Sequence, residues 1–265
     1  MSLGFADTGL GLSEIAGEHL VDPRTGGNGQ HGMTGLFRQS TFGRLGGYED
    51  VNDADRLGRD PAMRWIAGGR AVAKQAASAS QMGCFETEFL ATDANISALT
   101  ELSGAWIDRV HDRKPPKGVV LDMDSSVSPT NGNQEGTAYN GHKAEPVITF
   151  YKERGTAEQW IKESKNAINW TRLSCHKLRN NEVRLQFPTL AYNLANFMRT
   201  LALSKEVEHW SLTTIREKLI NVGAKVVAHG RYVTFQMAEV AVPRDLFRRH
   251  LGLIDRLRRP IPATA

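Results

Sequence analysis

Tyr151, Arg154, Glu158 and Lys165 stand in the order Y-x2-R-x3-E-x6-K. At about 100° per residue their azimuths on an α-helix are about 0°, 300°, 340° and 320°, so one face roughly 60° wide would carry all four. A carboxylate set between two cations and a phenol suits phosphodiester chemistry. The Glu can ligate Mg²⁺ while Arg, Lys and the hydroxyl hold phosphate oxygens. The same spacing is also met by a plain Arg154 to Glu158 ion pair on a solvated helix face.

Further carboxylates lie upstream. Lys114-Pro115-Pro116 ends one element and starts an extended one. In Val119-Val120-Leu121-Asp122-Met123-Asp124, apolar residues alternate on a β-prone background, which puts Asp122 and Asp124 on one strand face, as a metal site or as exposed edge aspartates. Charge is uneven along the chain. Residues 1–142 hold 12 Lys+Arg against 18 Asp+Glu, a net −6, and residues 143–265 hold 21 against 11, a net +10. The basic half points to a polyanionic partner, with cations grouped at Arg172, Lys177, Arg179 and Arg184 and again at Arg244, Arg248, Arg249, Arg256, Arg258 and Arg259. Arg248 and Arg249 are the phosphate-binding candidates of the second group. Cys84 and Cys175 are too few for a disulfide framework and have no Cys/His partners at zinc spacing. His176, His209 and His229 are isolated. No run of eighteen apolar residues is present and no basic-then-apolar leader opens the chain, so a cytoplasmic protein without a membrane partner is expected.

The stretches FYKERGTAEQWIKESKNAINWTRLSC (150–175), WSLTTIREKLINVGAKVVAHGRYVTFQMAEVAVPR (210–244), GVVLDMDSSVSPTNGNQEGTAYNGH (118–142) and FRQSTFGRLGGYEDVNDADRLGRDPAMR near the start resemble bacterial insertion-sequence transposases. The likeness is to the DDE transposases with an RNase H-like core and a YREK signature, of insertion-sequence family 1380 type. It implies metal-dependent DNA strand cleavage and transfer, Mg²⁺ or Mn²⁺ as cofactor, and the insertion-sequence ends as DNA partner, with self-association alongside. Glu158 becomes a catalytic metal ligand, and Tyr151, Arg154 and Lys165 its phosphate-binding companions. The first catalytic Asp of such enzymes precedes small hydroxyl residues, which favours Asp124 before Ser125-Ser126, with Asp122 as the alternative. The N-terminal region is implied to recognise the element's ends, although Cys84 stands where an Arg is expected.

These readings give an α+β fold, mostly helical: a helical N-terminal region over 1–115, and over 116–265 a truncated RNase H-like core with few strands, then C-terminal helices plus a β-hairpin. Ser78 and Ser80 are cap candidates for a helix around 81–90, and Asn95 for one through Leu99, Leu102 and Trp106. Leu190, Leu194, Phe197, Met198 and Leu201 mark a core helix. Pro188 interrupts that helix at a cost of about 3 kcal/mol if helical there. Ser211 and Thr214-x-x-Glu217 open another helix, two β runs flank His229-Gly230, and Pro243 suits the first turn of a final basic helix.

The spacing of the carboxylates conflicts with an intact catalytic core. Only 33 residues separate Asp124 from Glu158, and none is Asp. Two strands, a helix and the strand bearing a second catalytic Asp do not fit there, since strands average about five or six residues and helices about eleven. The segment ending Tyr139-Asn140-Gly141-His142 joins directly to one beginning near Pro146, and Asn131 replaces a His implied by the resemblance. The expectation is an internally deleted copy that keeps Asp124 (or Asp122) and Glu158 and has lost the middle Asp. Two outcomes remain open at this point. One is residual nicking with Glu135 or Glu145 as third ligand, and the other a non-catalytic DNA-binding remnant that interferes with an intact transposase.

Overall fold

The computed structural model describes residues 2–25, 29–68, 74–113, 115, 162–163, 165–168, 173–229, 232–237 and 243–258. It is mostly helical, with one antiparallel two-stranded sheet among the described residues. The N-terminal part runs through α1 (Ser2–Leu10), α2 (Leu12–His19), α3 (Met33–Leu45), the short α4 (Ala54–Leu57) and α5 (Pro61–Ile66), α6 (Ala79–Cys84) and α7 (Asp93–Arg113). The C-terminal part holds α8 (Leu178–Phe197), α9 (Leu212–Ile215), β1 (Ala224–His229), β2 (Tyr232–Met237) and α10 (Arg244–Leu257). Helices α6, α8 and α9 each run on into a π-helical turn, at Phe85–Phe89, Met198–Ala202 and Arg216–Ile220.

Local chemistry explains the boundaries. Ser78 accepts the Gln81 amide while the Gln81 side chain accepts the Ser78 amide, a reciprocal capping box that opens α6. Ser211 caps α9 through the Thr214 amide. Pro243 lies just before α10 rather than inside its first turn. Helix α7 starts at Asp93, and Thr92 rather than the expected Asn95 stands at its cap, accepting from the backbone amide of Asn95 at 3.3 Å. The buried Asn95 side chain accepts from the Val21 amide and donates to the carbonyls of Val21 and Phe89, tying the chain after α2 to the head of α7. Gly11 turns the chain between α1 and α2 at φ 76°, a conformation that L side chains rarely adopt. The buried Asp7 carboxylate braces that turn by accepting from the Ser13 amide at 2.8 Å and the Arg38 guanidinium at 3.2 Å. Burial pushes its carboxyl above the usual range against those bonds.

One core joins both halves of the chain. Phe37 on α3 and Phe85 meet Phe187 on α8 at ring separations of 5.7 and 6.2 Å. Trp106 on α7 packs edge-on against Phe197 at 5.0 Å and donates its indole N–H to the Leu10 carbonyl at 3.0 Å. Helix α8 continues through Pro188, which is itself buried. The neighbouring buried Phe187, Leu190 and Leu194 supply the packing that offsets a proline's helical cost of about 3 kcal/mol. At the far side α10 lays Leu246, Phe247 and Ile254 inward against α1 and the π turn after α8.

His250 lies in that last interface. Its Nδ1 is 3.0 Å from the Ala202 carbonyl and its buried Nε2 has no partner among the described residues. Burial lowers its pKa below the ordinary value. A neutral native imidazole makes the unfolded chain the stronger proton binder between the two pKa values, so its contribution is intact above about pH 6.5 and falls as pH drops below it. Unfolding free energy is therefore expected to decline on acidification below pH 6.5, with a slope from this one proton approaching about 1.4 kcal/mol per pH unit. Denaturant titrations from pH 8 to 5 check this, and the slope should shrink in His250→Gln.

Candidate nucleic-acid interface

Asp122, Asp124, Tyr151, Arg154 and Glu158, with the expected strand 119–124, lie outside the described residues. Lys165, the last residue of the stripe, is described and exposed, at the start of the helical residues 165–168. This short stretch is firmly docked. Glu163 accepts from the Leu212 amide at the head of α9 at 2.5 Å and pairs with the largely buried Arg199 at 3.3 Å. Arg216 donates to the Ala167 carbonyl at 2.6 Å, while Ala167 and Ile168 are buried. On a helical projection Glu163 and Ala167 fall at about 120° and 160° where Lys165 falls at about 320°. Glu163 and Ala167 thus dock on the side away from the exposed Lys165, while the buried Ile168, at about 260°, lies between the two sides.

Arg248 and Arg249 lie on the outer face of α10, with side chains 66% and 53% exposed. Arg248 stands 3.4 Å from Asp245, and Arg249 2.8 Å from Glu206. Exposed pairs of this kind are worth about 0–1 kcal/mol, so a polyanion can displace the carboxylates. Arg244 and Arg256 are exposed on the same helix, and Gly252 between them leaves open space. The outer face of α10 is thus an open cationic surface backed by an apolar inner face.

The other expected cationic group is dispersed. Lys177 is exposed at the cap of α8, and Arg179 is tied to Asp93 and the Ala91 carbonyl. Arg184 turns inward, its side chain 15% exposed, to stand 3.4 Å from the fully buried Glu86. Glu86 also takes a hydrogen bond from Ser40 at 2.7 Å and an ion pair from Arg44 at 2.9 Å. The Arg44 guanidinium sits 5.0 Å over the Phe187 ring. Arg184 is a core counter-ion, and sequence alone gives no signal of this because its partner is on a distant helix.

Among the described residues no group of three or more His, Cys, Asp or Glu side chains could hold a metal ion. His176, His209 and His229 are exposed and separate. Burial raises the thiols of Cys84 and Cys175 above their ordinary value, which leaves neither an activated nucleophile. No described helix is long and apolar enough to cross a membrane.

A family model described as transposase DDE domain group 1 matches residues 1–147 and 143–259. No curated protein and no solved structure matches the chain.

Proposed function

The chain belongs to the family described as transposase DDE domain group 1, and from that premise we propose that it is an internally deleted insertion-sequence transposase that holds DNA without cutting it. Membership implies DNA as partner, and DDE domains generally work with divalent metal ions. The proposal goes further in naming the YREK type of insertion-sequence family 1380 and an RNase H-like origin for residues 116–265. Residues 1–115 serve recognition of the element's ends, and the protein acts in the cytoplasm, with self-association through the same DNA.

The observation that carries this reading is the shortage of chain between the candidate ligands. None of the 33 residues between Asp124 and Glu158 is Asp. The two matched stretches meet within that interval, at residues 143–147, which supports a junction there. Asp124 (or Asp122) and Glu158 would hold Mg²⁺ or Mn²⁺, which when bound activates the attacking oxygen and stabilises the leaving one. Tyr151, Arg154 and Lys165 would hold phosphate oxygens beside it. What remains is a DNA-binding remnant able to occupy element ends and block an intact transposase.

The test of DNA holding is a salt titration. Binding of the full chain to labelled duplex should weaken linearly in log K against log salt, by about 0.9 per neutralised phosphate. Charge reversal at Arg248 and Arg249 together should weaken binding to all sequences alike and reduce the slope by about 2, one for each lost phosphate contact. A folded chain that does not bind, or binds independently of salt, contradicts the proposal.

A further inference from the structure

The hairpin β1–β2 has two unlike faces. In its register Ala224 pairs with Met237, Val226 with Phe235 and Ala228 with Val233, and between them Lys225 pairs with Gln236, Val227 with Thr234 and His229 with Tyr232. Side chains alternate across a strand, so the first set shares one face and the second the other. Val226 and Phe235, both half-buried, line a 410 Å³ groove together with Phe42, Leu57, Met63 and Ile66 of the helical body. At the stem Asn221 donates to the Gly46 carbonyl at 2.9 Å. An isolated two-stranded ribbon is marginal in water, and the half-buried Val226, Phe235 and Met237 support it, whereas Ala224, Ala228 and Val233 on the same face are exposed.

The outer face is left to solvent except at Val227, which is half-buried. Lys225, His229, Thr234 and Gln236 are exposed, and Tyr232 is 79% exposed. None of these five side chains has a hydrogen-bond or ion-pair partner among the described residues. Residues 224–237 include Lys225 and Arg231 and no carboxylate. A face that is rich in donors, free of acid and carries a projecting phenol complements a polyanion better than it complements a protein core.

We propose that this outer face enters the major groove of duplex DNA, with Lys225, Thr234 and Gln236 at base edges and Tyr232 against the phosphodiester backbone. A two-stranded ribbon fits the major groove, about 12 Å wide, and not the minor groove of about 6 Å. The proposal rests on the reading that the chain holds DNA, and adds a second, sequence-sensing contact to the phosphate contacts of α10. It differs from them in what salt and sequence do: the ribbon discriminates between duplexes, whereas Arg248 and Arg249 do not.

The experiment is anisotropy of labelled duplex with the full chain and two ribbon variants, Tyr232→Ala and the triple Lys225→Ala, Thr234→Ala, Gln236→Ala. All four positions are exposed, so melting temperatures should stay at the wild-type value. The triple variant is expected to bind at least tenfold more weakly to the best duplex and to lose preference among duplexes; Tyr232→Ala should lose about fivefold, and the exposed Leu178→Ala nothing. A photo-crosslinker replacing Tyr232 in the otherwise unchanged chain should join to DNA, which decides the matter even where a variant misfolds. Unaltered affinity in the triple variant with no crosslink overturns the ribbon proposal and leaves DNA holding in place. A folded wild-type chain that binds no duplex overturns both. A ribbon variant that changes the mass of the assembly in light scattering while DNA affinity stays fixed makes the ribbon a contact between copies, and overturns the proposal as well.

Discussion

Glu86→Ala is expected to cost about 3–5 kcal/mol of stability, the usual penalty for removing one partner of a buried ion pair. For a chain of this size that lowers the melting temperature by roughly 6–20 °C. The carboxylate is fully buried between Arg44 at 2.9 Å and Arg184 at 3.4 Å, with Ser40 donating at 2.7 Å. Its removal leaves two guanidiniums facing each other in the core beside Phe187, with no anion between them. Glu86→Gln keeps an acceptor for Ser40 and loses the charge, so its cost should fall between alanine and wild type. Glu101 is exposed and accepts a hydrogen bond from the Ser97 hydroxyl at 3.3 Å, so Glu101→Ala should stay within about 0.5 kcal/mol. Equal melting of Glu86→Ala and Glu101→Ala would show that the three charges do not act as a core unit.

That network marks the limit of what the sequence makes legible. Features governed by neighbouring residues read correctly: the Ser78 and Ser211 caps, the strand pair around His229-Gly230, and the apolar spacing of α8 all depend on residues within a turn or two of each other. Features governed by distant partners do not. Asn95 looks like a cap by type and position, yet its side chain bonds Val21, 74 positions earlier. Arg184 looks like part of a basic patch, yet Glu86 claims it from another helix. Pro188 looks like a helix breaker, and aromatic packing from α3 keeps the helix whole. The π turns after α6, α8 and α9 leave no periodic signature of their own. Of the candidate site, Arg248, Arg249 and Lys165 are exposed, while the helix face that Lys165 would share with Tyr151, Arg154 and Glu158 lies outside the described residues. Asp122, Asp124 and Glu158 lie outside the described residues, so the case for a lost catalytic set rests on chain length and composition between them.

Strand cleavage is where the largest effect is expected. Two-metal catalysis distributes the attacking and leaving oxygens between ions held by carboxylates, and losing one charged ligand should remove several kcal/mol of transition-state stabilisation, about tenfold in rate for each 1.4 kcal/mol. The decisive measurement is one sample read twice: end-labelled duplex carrying the element's ends, titrated with the full chain in Mg²⁺ or Mn²⁺ until anisotropy saturates, then run on a denaturing gel. The expected result is saturable binding with every labelled strand at full length, neither nicked nor joined, and the same pattern for Glu158→Ala. Strands cut or joined by the wild-type chain and left whole by Glu158→Ala would contradict it, and would show that a working catalytic set survives in this chain.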